Sequence, residues 1–121
     1  MATTYEAIAT VEVGSGGAAD IEFTSIPQTY TDLLLKVSAR NTTGTEKFES
    51  IHLTFNGATS RYYEILLYNA GGSAGSASAQ NTKTRLEWVA GGNGNGATAS
   101  TFGNSETYIP NYTSTNAKSI S

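Results

Sequence analysis

Few residues in this sequence have the side chains and the spacing that chemistry needs. His52 is the single histidine, there is no cysteine, and ten Asp and Glu are scattered through 121 residues. A lone imidazole without thiolates does not make the usual multi-histidine zinc site. A Ser-His-Asp triad would need His52 with Asp32 and one of the many serines, but no Gly-x-Ser-x-Gly elbow occurs. His52 also stands out of phase with Ile51, Leu53 and Phe55, which places it at the surface. Paired carboxylates for glycoside cleavage are harder to dismiss, because any two at a suitable separation would serve. Glu64 and Glu87 lie beside Tyr62, Tyr63 and Trp88, rings of the kind that stack on sugars. Ordinary strand glutamates are far commoner than an acid–base pair, so the sequence is read as non-enzymatic. The aromatic set argues better for a glycan or partner surface, with Tyr62, Tyr68, Trp88 and Tyr108 as its candidate residues.

The glycine clusters carry no clearer chemistry. Gly14-x-Gly16-Gly17 and Gly92-x-Gly94-x-Gly96 open no helix and are followed by no Lys-Ser/Thr, as a phosphate-cradling loop requires. Gly91-Gly92-x-Gly94 is a single copy of a calcium-repeat pattern, with Asn95 where an Asp ligand belongs. Both clusters are read as flexible loops. No metal and no cofactor is expected. Asn41-Thr42-Thr43 and Asn111-Tyr112-Thr113 match the glycosylation sequon, as chance matches in a chain rich in Asn and Thr.

Composition narrows the partners. Charged residues are 14% of the chain, against roughly 25% in ordinary domains, and the net charge is only -3. The sequence pI is about 5.0 and no basic stripe is present, which argues against nucleic acid. No segment approaches the roughly 18 continuous apolar residues of a membrane helix. Seven Tyr, four Phe and one Trp lie in alternating runs, so the chain is expected to fold, as a single domain over 1–121. The absence of cysteine leaves the redox compartment open.

The elements that would position these residues are strands. Leu33, Leu35, Val37 and Ala39 alternate with Leu34, Lys36, Ser38 and Arg40 behind a Pro27–Asp32 corner. That pattern predicts a central strand around which the others are arranged, with Leu34 covered on the opposite face. Tyr5–Val13 and Asp20–Thr24 flank a Gly/Ser turn and read as a hairpin. Ile51–Phe55, ended by Asn56-Gly57, is a further strand, as is Arg61–Asn69 with its β-favouring tyrosines. Ala70–Lys83 reads as a long mobile loop, Arg85–Ala90 as a short strand, Gly91–Gly96 as a loop and Thr101–Ile109 as a strand ended by Pro110. Ala117–Ser121 reads as the opening of another strand, which predicts either a chain truncated at its C-terminal end or one that needs a neighbour to complete its sheet. Seven or eight short strands between Gly, Asn and Ser turns predict an all-β fold, an antiparallel β-sandwich or jelly roll.

Several phrases carry a resemblance. Phe23-Thr24-Ser25-Ile26-Pro27-Gln28-Thr29-Tyr30-Thr31-Asp32-Leu33, Val37-Ser38-Ala39-Arg40, Leu53-Thr54-Phe55-Asn56-Gly57, Phe102-Gly103 and Tyr108-Ile109-Pro110-Asn111-Tyr112-Thr113-Ser114-Thr115-Asn116 together resemble a group of tailed-bacteriophage virion proteins. These are common in cyanophages and other marine phages, and are described as structural, capsid or tail-fibre proteins. The resemblance spans essentially the whole chain and contains no catalytic signature. It implies a β-rich virion component, a capsid decoration, fibre or tail part, that associates with like subunits and other virion proteins. The alternative is a carbohydrate-binding module for a host-surface glycan.

Overall fold

Alternating apolar and polar residues make β1 as expected. In the structure, a computed structural model that describes residues 5–70 and 73–121, with side chains outside 68–82, β1 spans Leu33–Ala39. It is followed by β2 (Phe48–Leu53), β3 (Tyr62–Ala70), β4 (Ser73–Lys83), β5 (Leu86–Asn93) and β6 (Gly103–Ile109). There is no helix among the described residues. The strands pair antiparallel as three two-stranded ribbons: β1 with β6, β2 with β5, and β3 with β4.

The register of β1 on β6 sorts its two faces. Leu33 stands opposite Ile109, Leu35 opposite Thr107 and Val37 opposite Ser105, and directly opposed residues share a face. On this inward face Ile109 and Thr107 are buried, and the Thr107 hydroxyl donates to the Val89 carbonyl of β5 at 2.8 Å. The outer face sets half-buried Leu34 against Tyr108 and pairs Lys36 with Glu106 at 2.7 Å.

The predicted central position of β1 is corrected. Its one ladder is to β6, and a parallel bridge from Arg40 to Asn93 is its further contact beyond the strand end. The element in the middle is β5, which packs against β1, β2, β3 and β6. Its inward residues are small or compact (Leu86, Ala90, Gly92), so neighbouring backbones come close. A Cβ added to Gly103 of β6 would lie 2.8 Å from the Gly91 carbonyl oxygen.

Four further expectations change. The turn at Gly14–Gly17 forms, with the Gly17 amide donating to the Gly14 carbonyl at 3.0 Å, but Tyr5–Val13 and Asp20–Thr24 build no ladder on it. Val11, Val13, Ile21 and Phe23 remain exposed. A two-stranded hairpin is marginal in water without a sheet to lie on, and none is offered here. Ala70–Lys83, read as a loop, is mostly β4, because pairing with β3 imposes a ladder on Ser, Ala and Gly that have little strand preference of their own. The Phe48–Leu53 strand starts earlier than read, and Phe55 lies in the following turn. There Asn56 and Gly57 both take positive φ (50° and 68°) and Ala58 donates to Phe55, so the Asn-Gly turn signal holds.

The Gly91–Gly96 segment is the fourth. It is neither wholly loop nor loose: Gly91–Asn93 complete β5, and the rest is tied down. Gly94 donates to the Lys47 carbonyl at 3.0 Å and Gly96 to the Glu46 carbonyl at 2.9 Å. A side chain on Gly94 would overlap the Glu46 carbonyl, and one on Gly96 the Thr45 carbonyl. From the other side, the Arg40 guanidinium donates to four carbonyls, those of Asn95, Ala97, Thr98 and Thr101, at 2.8–3.3 Å. The Asn93 amide group adds a bond to the Thr101 hydroxyl at 2.9 Å.

Among the described residues the buried apolar core is small: Tyr62, Leu86, Ala90 and Ile109. Stability therefore leans on the polar ties. Arg40→Met keeps the stem and removes the donors, and is expected to lower unfolding stability by about 2–3 kcal/mol, the scale of one or two charge-assisted hydrogen bonds net of water. Gly96→Ala is expected to cost about 1–3 kcal/mol through overlap with backbone. Gly16→Ala, with open space around it, should be close to neutral. Urea midpoints of the three variants test this, and equal midpoints for Gly96→Ala and Gly16→Ala would contradict it.

Candidate functional site

Three surfaces carry the residues that sequence reasoning singled out. The first is an aromatic shelf on the β2–β5 ribbon. Phe48 and Trp88 stack with ring centroids 5.8 Å apart and planes 7° from parallel. Gly91 makes this possible, since a Cβ there would lie 2.5 Å from the Phe48 ring. Trp88 is 43% exposed and Phe48 is exposed beside it, so the pair presents a flat apolar surface to solvent.

Glu64 fixes the shelf from below. Its Oε1 accepts the Trp88 amide at 2.7 Å and its Oε2 the Glu87 amide at 3.4 Å. This ties β3 to β5 at the position where Trp88 emerges. Glu87 is ion-paired with Lys83, and that ammonium, hydrogen-bonded to it, holds the Glu87 carboxyl below its ordinary value of 4.5. Both carboxylates of the suggested acid–base pair are thus engaged in joining strands.

The second surface surrounds Tyr108 on the outer face of β1–β6. Asp32 accepts the Asn111 amide at 2.8 Å, and its carboxylate, as an acceptor toward the Tyr108 phenol, raises the phenol's pKa. Tyr112 donates its hydroxyl to the Pro27 carbonyl. Tyr30 donates to Glu6 at 2.8 Å, and that carboxylate raises the Tyr30 pKa in the same way. The Ser121 backbone exchanges two hydrogen bonds with Tyr108, which covers part of the free edge of β6. The strand expected over Ala117–Ser121 is reduced to that single pairing.

The third surface is the outward face of the β3–β4 ribbon. Along β3, Tyr63, Ile65 and Leu67 are exposed, while Tyr62 is buried and Glu64 and Leu66 are half-buried. Ile65 and Leu67 are 81% and 79% exposed, the highest values among the large apolar side chains of the described residues.

The predicted aromatic patch does not come together. Tyr62 is buried, with its hydroxyl accepting the Phe55 amide at 2.9 Å, so it is a core residue and offers no ring to a ligand. Trp88 pairs with Phe48, and Tyr108 sits with Asp32 on another ribbon. Tyr68 is placed opposite Gly75 by the strand register, and its side chain lies outside the described residues. His52 is exposed and exchanges a hydrogen bond with Ser50 at 3.1 Å. Sequence reasoning missed Phe48, Ile65 and Leu67. The period-2 pattern of Tyr63, Ile65 and Leu67 was visible, but it does not say which face of a strand looks outward.

Among the described residues no three His, Cys, Asp or Glu cluster as metal ligands. A shallow, open depression lies beside the Arg40-bound loop, lined by Lys47, Asn93, Gly96, Ala97, Thr98 and Thr101. It presents backbone, hydroxyl and amide groups and no acid or imidazole. Comparison with known proteins finds no match: no family model, curated protein or solved structure aligns with the chain.

The Lys83–Glu87 pair gives a pH prediction with a definite sign. A carboxyl lowered in the folded state stabilises the fold above its unfolded value, and that contribution is lost as pH falls through the folded value. Glu87→Gln is therefore expected to lower the thermal midpoint at pH 7, with the difference from the wild type shrinking as pH drops below 4.5. A gap that stays constant with pH would mean the pair contributes nothing through its charge.

Proposed function

We propose that this chain is a non-enzymatic structural component of a tailed-phage virion, a capsid decoration, fibre or tail part, that works by association with like subunits and other virion proteins. The observation that carries the reading is its surface. A compact protein of 12.7 kDa exposes about 6,200 Å², whereas this chain exposes 9,380 Å². The excess is about 3,200 Å², and the large apolar side chains left exposed, Ile65, Leu67 and Tyr5 among them, are groups that association buries. The phrase-level resemblance to virion proteins points the same way. Closure of the ribbons into a sandwich or jelly roll belongs to this reading, with neighbouring copies supplying a layer the single chain lacks.

The test is twofold. Light scattering on the purified chain is expected to give an oligomer, and a reconstruction of the parent particle is expected to contain multiple copies of the fold. A monomer at every concentration, with no copy in the particle, would sink the proposal.

A second reading is favoured by one feature, the Phe48–Trp88 shelf. Exposed flat ring pairs are good platforms for sugar faces, so the shelf supports a receptor-glycan contact at the particle surface. Glycan-array binding by the wild type is expected to fall at least about tenfold in Trp88→Ala, the effect of losing one aromatic anchor. No glycan signal from the wild type removes this reading.

A further inference from the structure

We infer that the outward face of the β3–β4 ribbon is where one copy of this chain packs on a second copy. The inference deepens the assembly reading above and rests on it.

Three observations select this face and this partner. First, Tyr63, Ile65 and Leu67 form a continuous apolar row on one side of β3, with the other side turned to the body through Glu64. A two-stranded ribbon with such a row uncovered is marginal in water. Second, the face is neutral. From Tyr62 to Lys83 the only charged residues are Glu64 and Lys83, and these are committed to the Trp88 and Glu87 amides and to the Glu87 carboxylate. Such a face offers nothing to a nucleic acid or to a charged protein, and two of them meet without repulsion. Third, the register is self-complementary. Ile65 stands opposite Ser78 and Leu67 opposite Ser76, so these two large apolar residues of β3 meet small-residue positions of β4 across the ladder. A two-fold axis through the face sets the β3 row of each copy over the β4 row of the other, large against small, in an isologous contact.

The absence of cysteine in the sequence makes the test clean. Ile65→Cys, close to the proposed axis, is expected to form a disulfide-linked dimer under mild oxidation, at least about tenfold faster than the exposed control Thr54→Cys on the β2 side. Ile65→Asp, which leaves the backbone ladder intact, is expected to weaken association by at least about tenfold in sedimentation, the effect of losing one anchor. Circular dichroism on Ile65→Asp confirms that the strands persist. If the wild type associates but Ile65→Cys links no faster than the control, and Ile65→Asp associates as the wild type does, this face is wrong and the assembly reading stands. If the wild type is monomeric at every concentration, this face falls, and the assembly reading falls with it when the particle holds no copy either.

Discussion

The structure depends most on what Arg40 does at the end of β1. A single guanidinium supplies donors to four carbonyls spread over Asn95–Thr101, and the adjoining Arg40–Asn93 bridge locks the end of β5 to the same place. The planar fork of arginine suits this task, since several fixed donors satisfy several carbonyls with one ordered side chain. Without it, the Asn95, Ala97 and Thr101 carbonyls would lose their guanidinium donor, and the Thr98 carbonyl would keep only the amide and hydroxyl of Thr101. The β5–β6 connection runs through this knot, so it decides how two ribbons are set against each other. Asn41, whose amide donates to Asn93 at 2.7 Å, extends the same tie by one residue.

That constraint matters because, among the described residues, no strand has a ladder on both sides. Each ribbon alone would be marginal. The fold is assembled from contacts that do not belong to a sheet: Thr107 to Val89 across the β5–β6 contact, Glu64 to the Trp88 amide across β3 and β5, and Asp32 to the Asn111 amide. The last of these joins the two longest phrases of the phage-protein resemblance. Pro27 and Asp32 from the first meet Tyr108, Asn111 and Tyr112 from the second. Stretches about eighty residues apart in sequence are physically one corner, in which the Pro27 carbonyl accepts the Tyr112 phenol and the Asp32 carboxylate accepts the Asn111 amide.

How much of this was legible depended on whether local pattern or distant backbone set the outcome. The all-β class was legible, and so were β1, β3, β6 and the Asn56-Gly57 turn, because period-2 alternation and turn chemistry are local. β4 was not, since Ser, Ala and Gly form a strand only because β3 lies beside them. Tyr5–Val13 failed in the opposite direction, with a strand pattern but no partner strand. The glycine-rich loop was misread for a related reason: sequence shows that Gly94 and Gly96 permit close approach, but the carbonyls of Glu46 and Thr45 that approach come from elsewhere in the chain. At the candidate site the aromatic residue types were visible in advance. Their sorting into a buried Tyr62, a shelf at Trp88 and a corner at Tyr108 was set by ribbon packing.

Both kinds of misreading concern one quantity, unmet pairing. The arm over residues 5–24 has the alternation of a strand and no ladder, and β3 has a ladder on one edge and an apolar row on one face with nothing over it. In a chain of ordinary charge such features would be guarded by lysines or prolines, the usual means of keeping edges apart. Here the guard is thin. Charged residues make up 14% of the sequence, and the two within the β3–β4 ribbon, Glu64 and Lys83, are turned to internal bonds. A sequence that had to remain monomeric would be under pressure to place charges on that row; this one places Tyr63, Ile65 and Leu67. The same residues are a liability in a free chain and an interface in an assembled one, and the low charge density of the whole sequence fits the second circumstance.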